Sequence, residues 1–385
     1  MSEKIGTIDR RYWIWIFCLL AAIGTSCAAY MNQLSQGLVT TGMSRDVPWG
    51  IYIGQFTFLV GIAASAVMVV LPYYIHNCKV FGRVLIFGES VAISAVTMCI
   101  LFILVDMGQP ARVLNVLLYP TPSSLMFWDM VSLVGYLLLN IVIVGTSLGA
   151  ERNGIDPPRW IPPVIFISIP WAISIHTVTA FLYSGLPGRP FWLTAVLAPR
   201  FLASAFASGP ALLILLCRVV FKLSGFDAGR EAVRKLALIM TYAMILNVFF
   251  LLMEIFTAFY SRIPEHMDHF HYLFAGLDGR GSLAPWMWAS VVSAGLSLTL
   301  LMVPATRKSE SALTAVCIFV FFSIWIDKGV GLIVGGFVPS PLGSVTEYMP
   351  TLREILIALG IWAAGLLMVT LLCKITVSIR EKSLG

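Results

Sequence analysis

The sequence predicts an all-α, polytopic membrane protein with about ten transmembrane helices. Three observations carry that expectation. Of its 385 residues, 59% are hydrophobic and 11% charged, with a mean hydropathy of +0.90, whereas a soluble domain carries about 25% charged residues. The apolar residues fall into ten runs, each near the length of about 20 that a helix needs to cross hydrocarbon. Lys and Arg alternate in density from one connection to the next, as membrane topology requires.

The first run, at 12–32, reads "YWIWIFCLLAAIGTSCAAYM" and follows a charged head with Lys4, Arg10 and Arg11. Small residues near its end suit a cleaved signal peptide. Its length, and the aromatic residues that open it as at a membrane interface, favour an uncleaved span. Spans 2 to 5 are expected at 50–75, 83–105, 125–148 and 162–183. Spans 6 to 9 are expected at 192–221, 232–260, 283–304 and 311–336, and span 10 at 352–374. Several contain Gly or Pro, which membrane bundles tolerate.

Ten spans put both termini on one side. That side holds 17 of the 25 Lys and Arg residues, and the other holds seven: Arg45, Arg112, Arg189, Arg200, Arg262, Arg280 and Arg353. Lys328 falls within a span. The positive-inside rule then makes both termini cytoplasmic, in the inner membrane. The net charge of +6 is a matter of topology, and nothing suggests nucleic acid. The seven Cys are scattered singly, with no CxxC or Cys/His cluster. Iron–sulfur and zinc sites in this chain are therefore not expected, nor are disulfides.

The outer connections are mostly longer than the inner ones and rich in Pro, Gly and aromatic residues: "MSRDVPWGIY", "YSGLPGRPFW", "HMDHFHYLFAGLDGRGSLAPW", "FVPSPLGSVTEYMP". A lid over the bundle is one reading and a docking platform the other. Docking is favoured, because buried loops would need polar partners that these do not obviously have.

Charges within hydrocarbon are costly and usually face a bundle interior or a water-filled cavity. The candidates are Glu89, Asp106, Asp129, His176, Glu254, Asp327 and Lys328. Counting rise per residue puts Glu89 about 9 Å in from the inner side and Asp106 about 25 Å further out. The others fall in the outer half. Structural readings stand beside functional ones. Asp106 precedes Gly108 and Pro110 and so ends a helix; Asp129 begins one, where an acid complements the helix dipole. Asp327 and Lys328 form a self-neutralised pair in one reading, and His176 a hydrogen-bonded core histidine. No two histidines lie at matching depth within the membrane, so haem is not expected. His266, His269 and His271 look like surface or interface groups, with a chance metal site as the alternative.

At "PWGIYIGQF", "DMGQPAR", "SSLMFWDM", "IHTVTAFLYSGLPGRPFW", "EIFTAFY" and "DKGVGLIVGGFVPSPLGSVTEYMPTLREI" the chain resembles the NrfD/PsrC-type quinone-interacting membrane subunits. The likeness runs over about 12–375 and falls in the ten-helix branch. That branch includes the alternative complex III, Qrc and Hmc membrane subunits and the DsrP subunits of DsrMKJOP complexes in sulfur metabolism, which the last motif resembles most. The resemblance implies two four-helix bundles, spans 2–5 and 6–9, flanked by spans 1 and 10. It implies a menaquinone pocket near the outer face of the first bundle, beneath a ferredoxin-like iron–sulfur subunit. The wider complex implied would add a multihaem cytochrome c, a haem b membrane subunit and a cytoplasmic iron–sulfur subunit. In the alternative complex III relatives the pocket uses the positions that match Asp106 and Asp129, the first being histidine there. The polysulfide-reductase branch uses an Asn/His pair early in span 2, where this chain has Tyr52 and Gln55.

Quinol oxidation releases two protons with two electrons, so its site needs acceptors within hydrogen-bond reach. Asp106 and Asp129 fit that part, with Trp49 and Trp128 as flat walls for a ring. The expectation is menaquinol oxidation or menaquinone reduction, with electrons crossing to a partner, so that the chain is not catalytic alone. Glu89, His176, Glu254, Asp327 and Lys328 are candidates for proton half-channels. Two other classes remain open at this point: a secondary transporter, which broken helices and intramembrane charges also suit, and a structural anchor.

Overall fold

The computed structural model describes residues 10–382, so Lys4 of the charged head lies outside the described residues. Among them, ten helices are long and apolar enough to cross a membrane, the number expected. Spans 1 to 5 are Arg10–Gln36, Ile51–Tyr74, Leu85–Asp106, Leu125–Asn153 and Ile161–Ser184. Spans 6 to 10 are Leu197–Ser224, Arg230–Ser261, Ala284–Met302, Glu310–Phe337 and Leu352–Arg380. Among the described residues there is no strand beyond an isolated bridge between Leu277 and Arg280. The end that carries the longer connections is called outer below.

Short connections return the chain so that span 2 packs on 3, 4 on 5, 6 on 7 and 8 on 9, while span 1 lies along span 10. Span 2 is central. It also touches spans 5, 6 and 9, and 83% of its most apolar window is buried, against 11% in span 1. Span 1 therefore leaves most of its circumference uncovered by the rest of the chain. Gly54 makes the central packing possible: a Cβ there would fall on the carbonyl oxygen of Gly329 in span 9. Membrane helices gain contact by such close approach, since burial against lipid-like neighbours adds little.

Two spans are irregular. Span 2 breaks at 64–66, between helices Ile51–Ala63 and Val67–Tyr74. Span 9 passes through a π-helical turn at Trp325–Gly331. One extra residue per turn rotates the rest of the helix about its axis, and such turns collect at functional sites. Asp327 and Lys328 both sit in this one.

The outer connections are latched to one another by polar contacts. Asp46 accepts from Thr346 Oγ1 at 2.9 Å and Ser344 Oγ at 3.2 Å. Arg280 donates to the Val345 carbonyl, and Glu347 accepts from the Ser282 N–H at 2.9 Å. Arg189 donates to the Phe337 carbonyl and lies over its ring. An outer helix, Pro264–Phe274, is pinned by His269, whose Nδ1 lies 2.7 and 2.8 Å from the Gly335 and Val338 carbonyls. The loops thus have the polar partners that their sequence did not disclose. His269 is buried at 2% exposure, which corrects its reading as a surface group.

Candidate functional site

Asp106 is the last residue of span 3, and Asp129 lies in the second turn of span 4. The connection between them returns both to the outer end. Asp106 is half-buried, and its Oδ1 is shut off from solvent without a hydrogen-bond partner. Asp129 is buried, and its Oδ1 accepts from the Thr179 hydroxyl of span 5 at 2.7 Å. No hydrogen bond joins the two acids.

Tyr183, also on span 5, lies one turn beyond Thr179 and is fully buried. Its hydroxyl lies 2.5 Å from Thr57 Oγ1 on span 2, whose own proton goes to the Ile53 carbonyl at 2.7 Å. Tyr183 is therefore the donor. Sequence reasoning passed over it within "TAFLYSG"; three inward positions at helical spacing, His176, Thr179 and Tyr183, were the available signal.

Trp49 packs against this tyrosine, with ring centroids 5.7 Å apart, and against Trp192 and Phe337 behind it. Trp128 does not face the same space. It is 48% exposed, rests on Phe127 and donates to the Pro122 carbonyl at 2.8 Å. Neighbours in a helix point about 100° apart, so a buried Asp129 turns Trp128 outward. Beside it Leu114, Leu117, Leu118, Tyr119 and Met126 are also exposed, an apolar surface at the outer end.

Tyr52 donates to Gln33 Oε1 of span 1 at 2.7 Å, and Gln33 Nε2 donates to the Val105 carbonyl at 2.7 Å, one residue before Asp106. Gln55 is turned elsewhere. Its Oε1 accepts from the indoles of Trp325 and Trp362, both at 2.9 Å, on spans 9 and 10. Tyr52 thus reaches the neighbourhood of Asp106 through Gln33, whereas Gln55 belongs to the span 2–9–10 contact.

The remaining candidates divide. Glu89 is buried near the inner end, with no hydrogen bond to its carboxylate among the described residues. The others lie on spans 5, 6, 7 and 9, of which span 6 packs against each of the other three. Asp327 does not pair with Lys328. Both its oxygens accept from Arg200 Nη2, at 2.7 and 2.8 Å, and Arg200 Nη1 donates to Glu254. Arg200 had been counted with the outer charges, yet it is buried at 6% exposure within span 6. Lys328 instead donates to Ser204 Oγ at 2.9 Å and the Phe201 carbonyl at 3.2 Å, with its ammonium over the Phe201 ring. His176 is fully buried, and among the described residues neither ring nitrogen has a hydrogen-bond partner, so it is not the hydrogen-bonded core histidine of the alternative reading.

Among the described residues no group of three His, Cys, Asp or Glu is placed to hold a metal ion. The Nδ1 of His269 is taken up by its two carbonyls.

Residues 39–338 match the family described as "Polysulphide reductase, NrfD". Relatives include a Halobacterium salinarum protein provisionally named as a membrane subunit of dimethyl sulfoxide reductase, 26% identical over 95% of this chain and 91% of its own. The Hdr-like menaquinol oxidoreductase integral membrane subunit of Archaeoglobus fulgidus is 25% identical over 66% of this chain and 62% of its own. The menaquinone reductase integral membrane subunit of Nitratidesulfovibrio vulgaris is 21% identical over 93% of this chain and 88% of its own.

Proposed function

The chain belongs to the polysulphide reductase NrfD family, and from that premise we propose that it is the quinone-interacting integral membrane subunit of a respiratory redox complex. It exchanges electrons between the menaquinone pool and an iron–sulfur subunit docked on the outer face, as part of a DsrMKJOP-like assembly. In this reading spans 2–5 and 6–9 are two four-helix bundles in the inner membrane, with the site in the first and both termini cytoplasmic. Menaquinol and menaquinone appear in the names of two of the relatives above, which supports the quinone.

The observation that carries the reading is the pair of acids at the outer end of consecutive spans, one with a buried, unengaged Oδ1 and the other bonded to Thr179. Menaquinol supplies two electrons and two protons on oxidation. Asp106 offers a buried, unengaged Oδ1 as one acceptor. Thr179 fixes Asp129 through Oδ1 and leaves Oδ2 without a hydrogen bond, so that oxygen is the other acceptor. Trp49, half-buried and backed by Tyr183, Trp192 and Phe337, is the aromatic wall. The exposed apolar residues at 114–128 give a partner a dry contact beside the acids.

Asp106→Asn keeps the side-chain shape but removes one acceptor. Quinone-linked turnover of the assembled complex is expected to fall by about 10²-fold or more, with every partner of the complex still present. Wild-type turnover in that variant refutes the site.

A further inference from the structure

Span 1 is the least covered of the ten helices, and its buried residues are Ile16, Leu19, Ser26 and Gln33. The two polar ones are engaged differently. Ser26 Oγ donates to the Ile357 carbonyl of span 10 at 3.1 Å, which joins the two helices side by side. Gln33, 2% exposed, turns both ends of its amide away from span 10. Its Nε2 donates to the Val105 carbonyl of span 3 at 2.7 Å, and its Oε1 accepts from the Tyr52 hydroxyl of span 2 at 2.7 Å. The two ends are not interchangeable. A carbonyl can only accept, so the amide nitrogen faces Val105 and the phenol must be the donor.

Val105 directly precedes Asp106 in the last turn of span 3, where helix carbonyls run out of intrahelical partners. The Met107 N–H closes the final turn on the Ile103 carbonyl at 3.2 Å. The next two carbonyls go to span 1: the Tyr30 hydroxyl reaches that of Leu104 at 3.5 Å, and Gln33 takes that of Val105. Tyr30 and Gln33 stand three residues apart on one face of span 1. The Val105 carbonyl and the Asp106 nitrogen belong to one planar peptide unit. Holding its oxygen fixes the plane that carries the Asp106 Cα, and with it where the carboxylate can reach. Left alone, a helix end frays. Tyr52 is itself fully buried, and the Ile51 N–H just before it donates to the Tyr348 hydroxyl at 2.8 Å. Gln33 is therefore held from span 2 while it holds the end of span 3.

We propose that Gln33 is a positioning residue of the quinone site: oriented by Tyr52, it sets the end of span 3 so that the unengaged Asp106 Oδ1 is presented to a quinol hydroxyl. This rests on the quinone reading, which makes Asp106 a proton acceptor. Gln33 itself touches neither quinol nor the proton and acts through Asp106. Asp106 Oδ1 has no hydrogen-bond partner among the described residues, so its place is set by the backbone that carries it. The outer end of span 1 thus belongs to the site, although span 1 stands outside spans 2–9. Such placement matters because a reacting group displaced by about 1 Å can lose about 10²-fold in rate.

The test is a double-mutant cycle on the assembled complex, read as kcat and quinol KM. Gln33→Met keeps the side-chain length and removes both bonds. Tyr52→Phe removes only the bond that orients the amide, and carries the test if the methionine variant does not assemble. Gln33→Met is expected to lower kcat about 10- to 10²-fold, and Tyr52→Phe about 2- to 10-fold, the worth of one hydrogen bond. In each the quinol KM should stay within about twofold of wild type. In the Asp106→Asn background both should change the residual kcat by less than about twofold, because the group they position no longer accepts a proton. A glutamine that only joins helices would lower kcat by the same factor in both backgrounds. Equal factors, or a wild-type kcat in both variants, overturn the positioning role and leave the quinone site standing. Wild-type turnover in Asp106→Asn alone overturns the quinone site and this role with it.

Discussion

Glu354 is the most demanding test of how the outer end is held together. It is fully buried at the start of span 10, and donors surround it. Its Oε2 accepts from the N–H of Gly42 at 2.7 Å, the N–H of Thr351 at 2.8 Å and the Thr351 hydroxyl at 3.0 Å. Its Oε1 accepts from the Tyr348 hydroxyl at 2.7 Å, and that hydroxyl accepts in turn from the Ile51 N–H at 2.8 Å. Burial and the Glu354 charge hold the Tyr348 phenol well above its usual range, so it remains a donor. Glu354→Gln puts an NH₂ where the phenol needs an acceptor. One charge-assisted bond is lost, at a cost of about 1.5–3 kcal/mol. Glu354→Ala orphans two backbone N–H groups and the phenol, at about 1–2 kcal/mol each, or about 3–6 kcal/mol in all. At about 1.4 kcal/mol per tenfold, local opening rises about 10- to 10²-fold for Gln and about 10²- to 10⁴-fold for Ala. Hydrogen exchange of peptides covering 37–50 and 338–351 in the assembled complex reads this directly. Exchange within about twofold of wild type in both variants would refute the latch.

Two further outcomes follow from the packing. Gly54→Ala drives a methyl group onto the Gly329 carbonyl, and overpacking of this kind costs about 1–3 kcal/mol or more. The yield of assembled complex should drop, and an unchanged yield would mean that spans 2 and 9 separate freely. His269 gives a pH dependence: burial lowers its pKa, outweighing the carbonyl contacts that act the other way. The unfolded histidine takes up a proton first as pH falls through about 6.5. Its contribution is therefore complete above that value and is lost as pH drops towards the folded pKa. Exchange in 264–280 should rise over that acid window in wild type and not in His269→Asn; identical profiles would rule His269 out as the cause.

The number of spans was legible because the bilayer admits so few solutions. A run such as "LLMVTLLCKITV" has nowhere else to go, and its length is set by hydrocarbon thickness. The depth of the two acids was legible for a similar reason, since the connection at 107–124 leaves and re-enters the bundle at the same end. Glu354 was not. It reads as an ordinary acid in the first turn of a helix, and its donors come from residues 42, 348 and 351 through folded loops. The polar needs of the outer loops were hidden in the same way: Asp46 finds its hydroxyls about 300 positions downstream.

The buried charges of spans 6, 7 and 9 show most clearly why adjacency in sequence misleads. Asp327 and Lys328 read as a pair because they are neighbours, yet residues i and i+1 do not face each other on a helix. The π turn that holds them adds its own rotation. Asp327 turns to Arg200, 127 positions away, and Lys328 to Ser204, 124 away. Arg200 read as an interfacial cation because a long side chain near a helix end ordinarily snorkels to water. It turns inward because two carboxylates wait within reach of span 6. Removing one partner of such a buried group costs about 3–5 kcal/mol, since it leaves a charge uncompensated. Arg200 thus answers two acids, and Lys328 is left to Ser204 and the Phe201 carbonyl, with no acid of its own among the described residues.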